Sequence, residues 1–376
     1  MQITDIEVIE LRVPHHRELD LDPTNNGCLI KVHTDIGISG ISEVDSLPSV
    51  IKAIIDAPPR IKTLMGLKSI LIGEDPRNIQ HLWQKMYHHT SYCGRRGIVM
   101  HAISGVDIAL WDLLGKIENK SVAELLGQPK RSKLAAYTTV YPLGRNLDEL
   151  HKGLDLALKY PVKALKLAID PFWRDEPELA IKLLKGARSY VGDEIELMLD
   201  ATASFNHHSQ FDPLVDALKT TGITWLEAPF PLDQIDQYNA VQRLGIPVGA
   251  GDTGLTAPEE WRPYFSEGNI DIAQPDISWV GGFTGLLEVA KLAKQYGCRL
   301  IPHGWNTDLT LAANLHFLSV QDASEYAEFS TSSSPLRWLL AKNGPKIDQD
   351  GMIKVPNGVG LGIELDNDII ETYRIN

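Results

Sequence analysis

Residues 195–201, IELMLDA, form a short run of strand-forming apolar residues that ends on an acid, Asp200, and the chain repeats the pattern downstream. ITWLEA (223–228) carries Glu227, IPVGAG (246–251) runs into Asp252, and IDIAQPD (270–276) ends on Asp276. CRLIPHG (298–304) then presents His303, and EYAEFS (325–330) presents Glu328. Successive polar residues stand 24 to 27 positions apart. Such an interval holds a buried strand, a loop, a helix and a return loop, which is the period of a β/α barrel. In that architecture the strand ends gather on one face, so residues far apart in sequence become neighbours.

Upstream, AAYTTVY (135–141) and VKALKLAI (162–169) bring the predicted strands to eight. Helical stretches such as EPELAIKLLKGARSY and GGFTGLLEVAKLAKQYG lie between strands, but no full helical partner follows the eighth. The expectation is a (β/α)7β barrel over residues 126–335. Residues 1–125 lack the rhythm and read as an α+β capping domain. There, ITDIEVIELRV and CLIKVHTDIGISGISEVD are antiparallel strands turning at Asp35-Ile36-Gly37. PSVIKAIIDAPPRIKTLM, PRNIQHLWQKMYHH and GIVMHAISGVDIALWDLLGKIENKSVAELLG read as helical. In the last of these, Ile103, Val106, Leu110, Leu113 and Leu114 recur at helical spacing, and Gly127 and Pro129 stop it. Residues 336–376 are expected to return to the capping domain as loops and turns.

The chain has 376 residues and a formal net charge of −13, which argues against partners such as nucleic acid or a membrane surface. No apolar run approaches the length of a membrane span, and the N-terminus alternates like a strand, so a cytoplasmic location is expected. Its three cysteines are scattered and show no zinc spacing.

An acid at a strand end caps the next helix as readily as it does chemistry. That reading suits one such acid better than Asp200, Glu227 and Asp252 together, since Glu227 precedes Ala-Pro and starts no helix. Like charges brought so close call for a cation between them. An all-oxygen set suits Mg2+, one ion per subunit, and the same ligands accept Mn2+. Asp276 and His303 end consecutive strands, so the carboxylate can fix one tautomer of the imidazole and raise its basicity. Lys166 shares a strand face with Ala168 and points into the mouth across from His303, where nearby positive charge would depress its pKa. Lys163, on the other face, suits a snorkelling surface role. Glu328, if burial raises its pKa, can donate to a developing oxyanion; a salt bridge with Lys166 or an arginine is the plainer alternative.

GRRGIVMHAISGVDIALWDLLGK, the lysine strand, LMLDA, WLEAP, the Gly-Asp after strand five, QPDISWVGG, PHGW, EF and PNGVGLGIELD together resemble the enolase superfamily, mandelate racemase subgroup, over nearly the whole chain. The resemblance implies Mg2+ on Asp200, Glu227 and Asp252, a His303–Asp276 dyad, a lysine on the opposite face, an electrophilic Glu328, and a homo-oligomer. It further implies removal of the proton α to a carboxylate, giving an enediolate. Three positions depart from the pattern. Ala168 replaces the second lysine of Lys-x-Lys, Asp252 stands where Glu is commoner, and Thr202 stands where an amide is frequent. With one secure base, elimination is favoured over racemisation. The polar loop HHRELDLDPTNNG, with His15 and Arg17, suits the hydroxyls of a sugar acid, as do Tyr141 and Trp305. The expected activity is an acid-sugar dehydratase (a hydro-lyase) giving a 2-keto-3-deoxy acid. The alternatives are a cycloisomerase of an anhydro-sugar acid or lactone, then an epimerase or a non-catalytic binder.

Overall fold

The computed structural model describes residues 1–14, 22–141, 143–169 and 171–375. The chain begins with an antiparallel sheet of β1 (Ile3–Arg12), β2 (Asn26–Thr34) and β3 (Ser39–Glu43), with Gly37 taking the positive φ of 77° that the β2–β3 turn demands. Apolar side chains alternating along β1 and β2 (Ile6, Val8, Ile30, Val32) face four helices: α1 (Pro48–Asp56), α2 (Leu67–Leu71), α3 (Ile79–His89) and α4 (Ile98–Glu118). The sequence reading ran the first of these helices on to residue 65. Instead α1 stops at Asp56, because Pro58 and Pro59 cannot donate the backbone hydrogen bonds that a helix needs.

Helix α4 joins the two halves of the molecule. It is the one helix among the described residues long and apolar enough to cross a membrane, yet 78% of its most apolar window is buried inside the protein. One face packs on the sheet, where Gly105 admits Val44 and Ile30 so closely that an added Cβ would meet them at 2.3 and 2.4 Å. Each fully buried leucine or isoleucine on this helix contributes about 1.5–3 kcal/mol. The other face meets the helix Gly282–Tyr296. There Asp107 accepts from the Thr284 amide (3.0 Å) and hydroxyl (2.6 Å), and Ser104 Oγ accepts from the Gly281 amide (2.7 Å).

All eight predicted barrel strands form: β4 (Lys133–Val140), β5 (Ala164–Ala168), β6 (Glu196–Asp200), β7 (Ile223–Glu227), β8 (Val248–Ala250), β9 (Ile272–Ala273), β10 (Arg299–Leu300) and β11 (Tyr326–Glu328). They pair in parallel in the order β10-β9-β8-β7-β6-β5-β4-β11. No backbone ladder joins β10 to β11 among the described residues. Side chains bridge that seam, where Arg299 Nε donates to Glu325 (2.9 Å) and the Gly304 amide donates to Glu328 (3.0 Å). Inside the ring, Tyr137, Ala164, Met198, Trp225, Ile272, Ile301 and Tyr326 form one cluster, a floor below the strand ends. The fold is an α+β capping domain followed by a modified TIM barrel. The tail holds more regular structure than its Gly/Pro content suggests. A short helix spans Pro335–Leu339, β12 (Met352–Lys354) pairs antiparallel with β4, and β13 (Arg374–Ile375) pairs with β1.

Candidate active site

Strand register sets the site. Lys166 pairs with Met198, so Ala168 lies opposite Asp200, and Asp200 lies opposite Glu227. Asp200, Glu227 and Asp252 are buried and offer oxygens that all lie within 4.8 Å of one another. The turns that hold them are strained. Thr202, Ala203 and Ala228 have φ of 43°, 57° and 41°, left-handed conformations that cost non-glycine residues about 1–3 kcal/mol each. They persist because the strand ends are tied together: the Ala201 amide donates to Glu227 O, the Ala203 amide to Ala228 O and the Ala228 amide to Gly249 O.

Glu227 is the most constrained of the three. Its Oε1 accepts from Lys166 Nζ (2.6 Å), and its Oε2 accepts from Trp225 Nε1 (3.3 Å) and Gln274 Nε2. Gln274 fits because position 249 is glycine; a Cβ there would stand 2.1 Å from Gln274 Oε1. Burial raises the pKa of Asp252 well above its ordinary range, and the neighbouring Glu227 and Asp200 raise it further. Its Oδ1 is buried with no hydrogen-bond partner. A buried acceptor without a donor, among carboxylates that repel one another, fits a hard divalent cation, and the all-oxygen donor set suits Mg2+.

Lys166 Nζ lies 2.6 Å from Glu227, 3.0 Å from Glu328 and 3.5 Å from Asp200. Burial disfavours its charge, but Glu227 and Glu328 outweigh it and hold the ammonium well above its ordinary pKa. The sequence reading tied a depressed lysine pKa to a nearby cation; the carboxylates around Lys166 act in the opposite direction. Glu328 differs from expectation. Burial pushes it up, but Lys166 and His303 pull it down to about 2, so it is an ionised acceptor for Thr139 Oγ1 (2.9 Å) and the Gly304 amide (3.0 Å). The salt bridge with Lys166 that the sequence left as the plainer alternative is formed.

His303 Nδ1 lies 2.8 Å from Asp276 Oδ2. Asp276 is itself fixed, its Oδ1 accepting from both the amide and the hydroxyl of Ser278 at 2.7 Å. Burial lowers the pKa of His303, but the bond to Asp276 and the charge of Glu328 more than offset it and bring it to about 10. Lys166, Asp200, His303 and Glu328 all line one cavity of about 380 Å3, within the range of small-molecule sites. Tyr141 and Trp305 line it too, while Ala168, Ile169 and Pro171 form an apolar wall. His15 and Arg17 lie outside the described residues. Three other polar or aromatic side chains that could meet a sugar acid lie apart from this cavity. Tyr137 is in the barrel floor, Tyr92 is 75% exposed, and Arg96 pairs with Glu260 at 3.3 Å. Gln274 and Ser278 escaped the sequence reading; Ser278 lies in the turn after Asp276 and bonds back to its carboxylate, a local contact open to an Asp-x-Ser sequence.

Comparison with known proteins agrees with this architecture. Residues 3–127 match the mandelate racemase/muconate lactonizing enzyme N-terminal domain, and residues 151–369 match the enolase C-terminal domain-like family. The chain belongs to the enolase superfamily, within the mandelate racemase/muconate lactonizing enzyme family. It is 31% identical to D-galactarolactone cycloisomerase of Agrobacterium fabrum over 332 residues, covering 85% of this chain and 86% of that one. It is 32% identical to arabinonate dehydratase of Saccharolobus solfataricus over 313 residues, covering 82% and 81%. The crystal structure of 3,6-anhydro-D-galactonate cycloisomerase from Zobellia galactanivorans superposes with a TM-score of 0.86 at 28% identity, covering all of both chains.

Proposed function

We propose that this chain removes the proton α to the carboxylate of an acid sugar and then expels the neighbouring hydroxyl as water, leaving a 2-keto-3-deoxy acid. The observation that carries this reading is that Asp200, Lys166 and Glu328 face the same cavity as His303. Asp200, Glu227 and Asp252 would hold Mg2+, with Mn2+ as a substitute. When bound, the ion supplies positive charge to the substrate carboxylate, which makes the α-proton acidic enough to remove.

The chain's own residues do the rest. Asp276 keeps a proton on His303 Nδ1, so Nε2 is the nitrogen that exchanges a proton with the substrate; with a pKa raised to about 10 the ring rests as imidazolium, and it acts as base in the fraction that has given up its Nε2 proton. Lys166, held as an ammonium by Glu227 and Glu328, offers charge to the carboxylate end of the substrate. Beyond Lys166, Ala168, Ile169 and Pro171 line the cavity with groups that cannot carry protons, and the Lys166 ammonium has no lone pair to act as a base. A wall of that kind disfavours racemisation, which needs a base on each face. Arabinonate dehydratase, a curated relative, supports the same class of substrate and reaction. Tyr141 and Trp305, together with His15 and Arg17, would meet the sugar hydroxyls.

A second reading has its own support. The similarity to D-galactarolactone cycloisomerase and to 3,6-anhydro-D-galactonate cycloisomerase favours a leaving oxygen tethered in the substrate ring, so that no water departs. One experiment separates the two readings. The Mg2+-loaded protein is incubated with a panel of aldonates, aldarates, their lactones and anhydro acids, and the product mass is read. Loss of water indicates dehydration and unchanged mass indicates cycloisomerisation; a panel with neither product refutes both.

A further inference from the structure

The loop that brings His303 and Trp305 to the cavity runs from the end of β10 to the helix Asp308–Val320. Within the barrel, the His303 amide donates to the Pro275 carbonyl (3.1 Å), Asn314 Nδ2 donates to the His303 carbonyl (3.0 Å), and the Gly304 amide donates to Glu328 (3.0 Å). A further tie comes from the capping domain. Glu43, the last residue of β3, sends its carboxylate across to the barrel, where Oε2 accepts from the Thr307 amide (3.2 Å), the Thr307 hydroxyl (2.8 Å) and the Thr310 hydroxyl (3.0 Å). Thr307 is the N-cap of the helix, and its Oγ1 accepts from the Leu309 amide at 3.3 Å. A hydroxyl that gives its hydrogen to Glu43 turns a lone pair toward that amide. The carboxylate therefore sets where the helix starts, and with it the end of the loop.

The same strand end reaches the other member of the proton-transfer pair. Just past β3, the Asp45 amide donates to Ser278 Oγ (3.2 Å), and Trp279 Nε1 donates to the Asp45 carbonyl. Ser278 is the residue that holds Asp276, and the Trp279 ring lies 5.7 Å from that of His303. Residues 43 and 45 thus bond to both segments, the one that carries Asp276 and the one that carries His303.

We infer that Glu43 is a positioning residue for the proton-transfer pair, fixing the loop of His303 and Trp305 from the capping domain against the segment of Asp276. The assignment rests on the reading of His303 as the base. Stability alone does not account for an acid at this position. Glu43 is 1% exposed, burial raises its pKa to about 7 against the bonds from Thr307 and Thr310, and its Oε1 is buried with no hydrogen-bond partner among the described residues. A buried carboxylate satisfied at one oxygen costs free energy, and such departures from good packing collect where function requires them.

The test is Glu43→Met, which keeps the length of the side chain and removes its acceptors, beside Glu43→Gln, whose amide oxygen can keep the three donors. With the panel acid that reacts best, kcat for C2 hydrogen exchange in Glu43→Met is expected to fall by about tenfold to a hundredfold, the usual cost of a reacting group displaced by a distant change. KM should move by less than about threefold, and Mg2+ affinity by calorimetry should hold. Proton NMR of the metal-free protein should show the His303 imidazole titrating below its wild-type value, since the imidazolium loses its fixed place beside Asp276. Glu43→Gln should exchange within about fivefold of wild type. Should Glu43→Met not fold, Thr310→Val carries the test from the barrel side: losing one donor should lower kcat severalfold, again with KM and Mg2+ affinity held. A variant that melts earlier yet keeps wild-type exchange and wild-type His303 titration marks a purely structural tie and overturns the assignment. So does a loss confined to KM, a parallel loss of Mg2+ affinity, or a Glu43→Gln protein as slow as Glu43→Met. A wild-type protein that exchanges no C2 hydrogen with any panel acid overturns the reading of His303 as base; the His303 titration then decides the tie by itself, and an unchanged value overturns it.

Discussion

Asp276→Asn tests the proposed base without touching the proposed metal ligands. In the native site two donors, the Ser278 amide and hydroxyl, converge on Asp276 Oδ1. In the asparagine variant those donors retain the carbonyl oxygen at that position, which turns the NH2 toward His303 Nδ1, now a donor where the imidazole needs an acceptor. The imidazole must offer its lone pair there, so its proton moves to Nε2, the nitrogen assigned to accept from substrate. His303 also loses the carboxylate that helps hold its pKa at about 10, and it falls back toward the ordinary value of 6.5. A misdirected general base costs about 10²–10⁴ in rate, or roughly 3–5 kcal/mol at about 1.36 kcal/mol per decade. The assay is C2 hydrogen exchange followed by proton NMR, with turnover, histidine titration and Mg2+ calorimetry on the same sample. Exchange and turnover should fall together while metal affinity holds. A loss below about tenfold, or a parallel loss of metal affinity, refutes the assignment of His303 as a base oriented by Asp276.

Other expectations concern the metal site and the core. Asp252→Asn removes a buried carboxylate that burial, Glu227 and Asp200 all push toward its neutral form, so the metal-free protein should become more stable, by about 1 kcal/mol in denaturant melts, while Mg2+ affinity falls at least about tenfold by calorimetry. Gly249→Ala drives a Cβ to within 2.1 Å of Gln274 Oε1, and it should cost about 1–3 kcal/mol of stability and weaken Mg2+ binding severalfold as Glu227 loses a donor. His316 is buried in the core, accepting from the Ala123 amide at 3.3 Å and bonded to the Leu361 carbonyl at 3.0 Å; burial lowers its pKa to about 4 from 6.5. Because the folded value is the lower one, its contribution is complete above pH 6.5 and is lost as pH falls through 4, a change of about 3 kcal/mol. The stability difference between wild type and His316→Gln should shrink by that amount over this range, and a constant difference would refute the account.

Much of the barrel was legible because its signal is periodic. An apolar strand ending in a polar residue, repeated every 24 to 27 positions, survives any local ambiguity. The convergence of Asp200, Glu227 and Asp252 followed from the same period, since strand ends meet wherever strands run parallel in sequence order. The states of Lys166 and Glu328 were not legible, because they depend on which charges lie within 3.0 Å of each other across β5 and β11. The strained turns at Thr202, Ala203 and Ala228 gave no sign either, since none carries the glycine that usually marks a positive φ. In the capping domain, strand alternation located β1 to β3, but nothing in the chain's order shows that Asp45 would dock on a segment more than two hundred residues away.

That docking bears on how new specificities could be built on this scaffold. The capping domain looks like an exchangeable lid, yet the end of β3 grips Ser278 and Trp279, and Ser278 grips Asp276. A chimera carrying a foreign lid would inherit a loosened proton-transfer pair unless residues 276–279 travelled with it. The transplantable unit is therefore discontinuous, one piece from each half of the chain, and grafts cut at the boundary between domains should bind new ligands more readily than they turn them over.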